Sequence, residues 1–200
     1  MTGLERNSPG VPSALILLGI TVVAYLIQTG DLVFKFALWP LGPNFAPWQL
    51  VTYGFLHGGM GHLFFNMFAL YMFGLPIERA WGTQRFLIFY FVCMIGAGLV
   101  QLLVTSLTGA IYPTIGASGA VFGLLLAFGM MFPNQRLMLL IPPMPIKAKW
   151  FVIGYGILTL IFGMTGTMAG VAHFAHLGGM IFGLILILYW GRSDYQRRRR

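Results

Sequence analysis

The sequence predicts an all-α membrane protein in which six transmembrane helices form one bundle. Hydrophobic residues make up 58% of its 200 positions and charged residues only 8%, whereas soluble domains carry roughly 25% charged residues. Because a soluble fold could not hide so much apolar surface, the chain is expected to cross a membrane several times. The candidate spans are six apolar runs, 13–29, 60–77, 86–107, 118–132, 150–165 and 171–190.

The domain organisation follows from these runs. They form one membrane domain, 13–190, between an N-terminal tail at 1–12 and a basic tail at 191–200. The first run is too long for the apolar part of a signal peptide and no small-residue cleavage site follows it, so it is interpreted as a span. The longest connection, 30–59, is rich in Pro, Gly and Trp and is too broken to span. Its apolar residues, such as Trp39, predict a loop that dips into the membrane.

The basic residues are distributed unevenly about the spans. If the N-terminus is cytoplasmic, the outer connections are 30–59, 108–117 and 166–170, and only Lys35 of the 12 Lys and Arg residues lies in them. Basic loops stay on the cytoplasmic side, so both termini are predicted to be cytoplasmic. A six-span chain with no targeting segment favours a bacterial plasma (inner) membrane. Because the positive charges flank spans instead of forming one face, no nucleic-acid partner is expected.

Ser118 begins the short fourth run. From Ser118 to Phe132 the run has 15 residues, or about 22 Å, which is less than the hydrocarbon core of about 30 Å. If Phe132 lies at the inner boundary, Ser118 lies about 8 Å below the outer one, and the segment 108–117 must dip to meet it. Non-helical backbone is tolerated at that depth only inside protein or beside water. The spacing therefore predicts a water-filled cavity, open to the extracytoplasmic side, with Ser118 at its floor.

Three further polar residues fall at the same predicted depth. His176 is five residues into the sixth run, and His62 and Asn66 are two and six residues into the second. His62 and Asn66 are four apart, so they share one helix face. Small residues repeat every four positions on the fourth and sixth runs and allow close helix approach: Gly119, Gly123 and Ala127, and Ala175, Gly179 and Gly183.

These polar residues could support acyl transfer. A serine needs a base to become a nucleophile and histidine is the usual base, which makes Ser118 the candidate nucleophile and His176 the candidate general base and acid. At a helix start the Ser118 backbone N–H is free, and together with His62 and Asn66 it could stabilise an oxyanion. None of the four acids is well placed to orient His176, so a Ser-His dyad is predicted; the acids are Glu5, Asp31, Glu78 and Asp194.

Other interpretations of the same residues stay open. A serine at a transmembrane helix start is usually a cap or a packing residue, and a single intramembrane histidine usually packs or makes a hydrogen bond. The histidines could suggest a metal site, but no carboxylate or thiol completes one and the only cysteine is Cys93, so no metal is expected. Those histidines are His57, His62, His173 and His176. The coincidence of four polar groups at one depth favours a catalytic site.

Four sequence motifs resemble those of the rhomboid family of intramembrane serine proteases. The tetrapeptide around Ser118 is similar to the family's Gly-x-Ser-Gly nucleophile motif, and the segment around His176 is similar to its Ala-His-x-x-Gly base motif. His62 and Asn66 match its His-x-x-x-Asn pair, which assists the oxyanion hole. Trp48 matches the Trp of its Trp-Arg loop motif. The motif residues read Gly116-Ala117-Ser118-Gly119, Ala175-His176-Leu177-Gly178-Gly179 and His62-Leu63-Phe64-Phe65-Asn66.

The resemblance implies a rhomboid-type six-helix bundle that cleaves single-pass membrane proteins near the top of their transmembrane helix, at small residues. It implies no metal and no cofactor, and its partners are the bilayer and the transmembrane helices of substrates. A substrate helix would enter between the second and fifth helices, gated by the fifth helix and the loop at Gly166–Gly170. The supporting residues of the site would be Gly116, Gly119, Phe122 and His173.

Two positions depart from the family pattern. Gln49 stands where the family has Arg after the loop Trp, which is expected to weaken a lipid-binding or loop-anchoring role for that pair. Phe122 stands where some members have a Tyr that stacks on the base; it can stack but cannot donate a hydrogen bond. The alternatives are a non-catalytic rhomboid-like protein that binds client helices, which would be expected to lack Ser118 or His176, and a small channel or transporter. The lack of intramembrane carboxylates disfavours cation coupling in a transporter.

Overall fold

The computed structural model describes residues 10–139, 143–166 and 172–197, with the side chains of the last helix described to Arg192. Each of the six apolar runs forms a principal helix, and shorter elements lie between them. The helices are α1 (Ser13–Leu26), α2 (Gly30–Phe36), α3 (Gln49–Thr52), α4 (Met60–Trp81), α5 (Thr83–Thr108), α6 (Ser118–Met131), α7 (Ala148–Thr165) and α8 (His173–Arg197). A 3₁₀ turn at Tyr53–Phe55 follows α3, and Leu70–Gly74 forms a π-helical turn within α4.

Four of the described helices are long and apolar enough to cross a membrane, namely α4, α5, α7 and α8. The other two principal helices, α1 and α6, are apolar but have only 14 residues each. The prediction of a mostly helical, multi-pass membrane protein is confirmed. The prediction that α1 and α6 also span, which would make six spans, stays a prediction.

Helix α6 lies at the centre of the bundle and packs against α4, α5, α7 and α8. Ten of its 14 residues are buried, as expected for a helix that is apolar all round. The predicted close approach of the small-residue faces is present, because a side chain at Gly179 of α8 would collide with the backbone of Gly119 in α6. Cys93 of α5 fills the space beside Gly123 and Gly183 at the same crossing.

The connection at 30–59 is more ordered than the predicted loop, because it contains α2, α3 and the 3₁₀ turn. The expectation that Gln49 weakens loop anchoring is wrong. Gln49 is buried, and its Oε1 accepts hydrogen bonds from two backbone amides while its Nε2 donates to two carbonyls. The amide therefore joins separate parts of the loop; its partners are Trp39 N, Ala46 N, Lys35 O and Asn44 O.

Two further features were not predicted from the sequence. Arg136–Met138 and Pro145–Lys147 pair as short antiparallel strands, β1 and β2, between α6 and α7. The buried Glu78 carboxylate accepts hydrogen bonds from the backbone N–H groups of Ser13 and Ala14 at 2.8 and 2.9 Å. The first N–H groups of a helix have no partner within the helix, so Glu78 of α4 caps α1.

Candidate active site

Ser118 and His176 meet across the contact between α6 and α8. Ser118 is the first residue of α6, and its Oγ lies 2.8 Å from Nε2 of His176, 58 residues later in the chain. For His176 to act as the base, the serine hydroxyl must donate and Nε2 must accept, which requires the imidazole proton on Nδ1. Small residues at the crossing bring the helices close enough for this hydrogen bond. The structure thus brings together the two residues that the sequence predicts as nucleophile and base.

The ring of His176 belongs to an aromatic stack. Phe122, one turn after Ser118, stacks on it with 4.2 Å between ring centroids and 11° between planes. Tyr155 of α7 stacks on Phe122 at 5.0 Å, and Phe151 stacks on Tyr155 at 5.6 Å. Phe122 was predicted from the sequence, whereas the two rings of α7 were not, although two aromatic residues four positions apart share one helix face. The stack restricts the tilt of the imidazole plane.

A cavity of about 280 Å³ adjoins His176 between α6, α7 and α8. It is lined mainly by apolar and aromatic side chains, and His173 also lines it with its ring edge-on to His176 at 6.1 Å. Among the described residues, Ser118 does not line this cavity. Its lining residues are Phe122, Tyr155, Leu158, Thr159, Phe162, His173 and His176. The predicted water-filled cavity above Ser118 stays a prediction.

His62 lies near Ser118 with a defined ring orientation. Its Nδ1 accepts a hydrogen bond from the backbone N–H of Gly58 at 3.3 Å. A backbone N–H can only donate, so in a neutral ring the proton of His62 is on Nε2. A methyl group placed on Gly116 would lie 2.7 Å from His62 Nε2 and 3.8 Å from Ser118 Oγ. The His62 donor and the Ser118 hydroxyl therefore flank the same small space.

Gly116 leaves that space open. Its φ of +120° is a conformation that glycine adopts readily and other residues rarely do. Its backbone N–H donates to the carbonyl of Tyr53 at 2.9 Å, which ties the segment before Ser118 to the first loop. A bridge between Leu38 and Thr114 makes a second tie. Glycine is needed here for the backbone angle and because a side chain would meet His62.

Asn66 lies one helical turn after His62 and is buried. Its Nδ2 donates to the carbonyl oxygen of His62 at 2.8 Å. An amide nitrogen carries two hydrogens, so a second hydrogen remains for another acceptor. The structure thus places His62 and Asn66 on one part of α4, as the four-residue spacing predicts.

Comparison with known proteins identifies the family. Residues 44–193 match the sequence profile of the Rhomboid domain, which is three quarters of the chain. The chain belongs to the rhomboid family. The match includes α4 to α7, most of α8 and every residue of the candidate site.

Similar proteins include named proteases of this family. The rhomboid chain is 30% identical over 155 residues to Rhomboid protein 1, mitochondrial, of Saccharomyces cerevisiae, covering 76% of this chain and 44% of that protein. It is 32% identical over 139 residues to Rhomboid protease GluP of Bacillus subtilis, covering 68% of this chain and 24% of that protein. It is 25% identical over 204 residues to Rhomboid protease GlpG of Photorhabdus laumondii, covering 98% of this chain and 67% of that protein. The chain thus spans less than half of the first two relatives.

Proposed function

We propose that this rhomboid is an intramembrane serine endopeptidase that cleaves transmembrane segments of single-pass membrane proteins. The observation that carries the proposal is the 2.8 Å hydrogen bond between Ser118 Oγ and His176 Nε2. A hydroxyl held against an imidazole nitrogen at the start of a buried helix is the arrangement that activates serine for attack on a carbonyl. Membership of the rhomboid family and the protease names of two relatives support the same activity.

The proposed reaction uses a dyad. His176 takes the hydroxyl proton as Ser118 attacks the scissile carbonyl carbon, and the protonated imidazole then gives that proton to the leaving amine. Water hydrolyses the acyl-enzyme in a second step with His176 again as base. Among the described side chains no acid contacts His176, so the Phe122 stack, instead of a carboxylate, would keep the ring in orientation.

The oxyanion of the tetrahedral intermediate would lie between three donors. These are the backbone N–H of Ser118, the Nε2–H of His62 and the amide of Asn66. Fixed donors aimed at developing negative charge supply a large part of the rate enhancement in acyl transfer. The Gly58 contact supports this role for His62, because it leaves the proton on the nitrogen nearer Ser118.

The proposed membrane arrangement has six spans, with α1 and α6 as the two short ones. Both termini would be cytoplasmic in a bacterial plasma membrane, and the domain would extend over 13–190 with a basic tail at 191–200. Substrate helices would enter between α4 and α7. The predicted gate at Gly166–Gly170 lies mostly outside the described residues, because 167–170 are not described.

The proposal is tested by incubating the detergent-purified chain with a panel of tagged transmembrane segments. Wild type is expected to cleave at least one segment, and Ser118→Ala and His176→Ala are each expected to abolish that cleavage. A serine-directed fluorophosphonate should label wild type and not Ser118→Ala. A chelator should leave cleavage unchanged.

The alternatives give different results in this assay. A helix-binding rhomboid without activity would retain segments without cleaving them, in wild type and Ser118→Ala alike. Covalent labelling that persists in Ser118→Ala, or loss of cleavage with chelator, would contradict the serine mechanism. Thermal melting of each variant separates loss of chemistry from loss of fold.

A further inference from the structure

His57 lies beside the candidate oxyanion donor but has no part in the proposed reaction. Its side chain is fully buried, and within the described residues neither ring nitrogen makes a hydrogen bond. Burial, followed by the neighbouring His62 imidazole, lowers the pKa of His57 to about 4, and the Phe55 carbonyl opposes this shift without reaching hydrogen-bond geometry. The ring is therefore neutral at pH 7. A buried imidazole without hydrogen bonds is unusual, and this ring does make a contact with a neighbouring ring.

That contact is with His62. The two ring centroids lie 4.9 Å apart with 61° between planes, an edge-to-face arrangement that aromatic rings favour. The hydrogen bond from Gly58 to His62 Nδ1 is long, at 3.3 Å, and holds the ring at one atom only. The Cε1–Nε2 edge of the His62 ring faces the space beside Gly116. The His57 ring supplies a further contact that limits rotation of the His62 plane.

The main chain of His57 is itself fixed by the end of the first helix. Gln28, two residues after α1, donates from Nε2 to the His57 carbonyl at 2.8 Å and accepts from the His57 N–H at 3.0 Å. One side-chain amide thus satisfies both backbone groups of His57, as a neighbouring strand would. The two residues are 29 positions apart, so this contact fastens the first loop to α1 immediately before α4.

We propose that His57 is a positioning residue for the oxyanion donor, and that Gln28 holds it in place. The His57 ring keeps the His62 imidazole in the plane that directs Nε2–H toward Ser118. His57 acts through His62, and Gln28 acts through His57. The positioning role of His57 rests on the proposed function, in which His62 stabilises the oxyanion.

The first test is kinetic. His57→Ala removes the ring contact and is expected to lower kcat about tenfold with little change in KM, because the lost interaction serves the transition state. His57→Phe restores a ring contact and is expected to stay within about threefold of wild-type kcat, since the nitrogens of His57 make no hydrogen bond to any described residue. Leu56→Ala is the matched control, because it truncates the neighbouring buried residue. Its kcat should remain within about twofold of wild type.

Double variants separate positioning from general packing. If His57 acts through His62, the His57→Ala, His62→Ala double variant is no slower than His62→Ala alone, because residues that act as a unit are non-additive. Likewise, adding Gln28→Ala to His62→Ala should not lower kcat further. An unchanged kcat in His57→Ala, equal losses in folded His57→Phe and His57→Ala, or losses that multiply in the double variant, would overturn the proposal.

A spectroscopic readout does not depend on cleavage. The chain has only four histidines, so ¹⁵N-histidine spectra of the protein in detergent are simple to assign by substitution. The His62 ring is expected to show the Nε2–H tautomer in wild type and in His57→Phe, and averaged or altered ring shifts in His57→Ala. Unchanged His62 shifts in folded His57→Ala would refute positioning. Absence of any wild-type cleavage would instead count against the proposed protease.

Discussion

His176 and His62 both lie close to Ser118, but the protein holds them by different means. His176 is on a helix whose small residues press against α6, and its ring stacks on Phe122. His62 is near the start of α4, and a loop orients its ring through Gly58 and His57. One histidine is positioned by helix packing and the other by hydrogen bonds and contacts from the first loop.

The difference matches what each ring would have to do. A base must reach both the serine proton and a leaving amine, which requires a fixed ring plane and an unprotonated Nε2. An oxyanion donor must keep its proton on the nitrogen that faces the oxyanion, and a hydrogen bond to the other nitrogen favours that tautomer. We therefore expect variants around His176 to change the tilt of its ring. Variants around His62 are expected to change the direction of its Nε2–H.

Among variants of the residues that surround Ser118 and His176, the largest effect is expected at Gly116, where the two sides meet. Gly116→Ala places a methyl group 2.7 Å from His62 Nε2 at a φ of +120°, and we expect kcat/KM to fall about a thousandfold as the donor is displaced. Gly109→Ala is the matched control, because Gly109 also has positive φ, +69°, but has open space around it. Equal activity of the two variants in the cleavage assay would contradict the assigned role of Gly116.

Removal of the Asn66 donor, which neighbours His62 on α4, is expected to have the next largest effect. Asn66→Ala should lower kcat about a hundredfold without raising KM, since loss of one oxyanion donor costs about 10²–10³ in rate. Gln101→Ala removes another buried helical amide, in α5, and serves as the control. If the two variants lose the same activity, Asn66 contributes to packing and not to the oxyanion.

Removing the ring that stacks on His176 is expected to lower kcat less than removing the Asn66 donor. Phe122→Leu removes the ring against His176, and because aromatic pairs contribute about 0.5–1.5 kcal/mol, kcat should fall about two- to tenfold. Phe122→Tyr keeps the ring and should stay close to wild type. Phe151→Leu, two rings further along the stack, should have a smaller effect than Phe122→Leu. A reversed order in steady-state kinetics would show that the stack does not hold the base.

The smallest kinetic effect is expected from Gln49, whose hydrogen bonds are with the first loop and not with the candidate site. Gln49→Leu leaves its four backbone partners without the buried amide, and stability should fall by about 2–4 kcal/mol because such groups are costly to leave unpaired. Activity at low temperature should change less than about threefold. Gln101→Leu, which loses one 3.4 Å hydrogen bond to Tyr112, is the control. Thermal melting in detergent measures the difference.

Much of the helical framework could be predicted from the sequence, because apolar runs and small-residue repeats are local signals. The 58-residue separation of Ser118 and His176 did not prevent their pairing from being predicted, since both depths could be counted from span ends. The shared face of His62 and Asn66 followed from helical periodicity.

The rest depended on contacts that have no local signal. The sequence does not indicate that Gln49 bonds four backbone groups, because an amide can do so only where a loop folds around it. The pairing of Gln28 with His57 and the capping of α1 by Glu78 are likewise set by tertiary structure. The β1–β2 pair was missed because three-residue strands in an apolar chain show no clear alternation.

The chain's single cysteine lies at the crossing of the helices that carry the serine and its base. Cys93 is fully buried, and its sulfur lies against Gly123 of α6 and Gly183 of α8. A water-soluble thiol reagent can react with it only when those helices move apart. With no other thiol in the sequence, the rate of modification of the unaltered protein measures how often the bundle opens. The protein thus contains its own reporter of helix separation beside Ser118 and His176, without introduced labels.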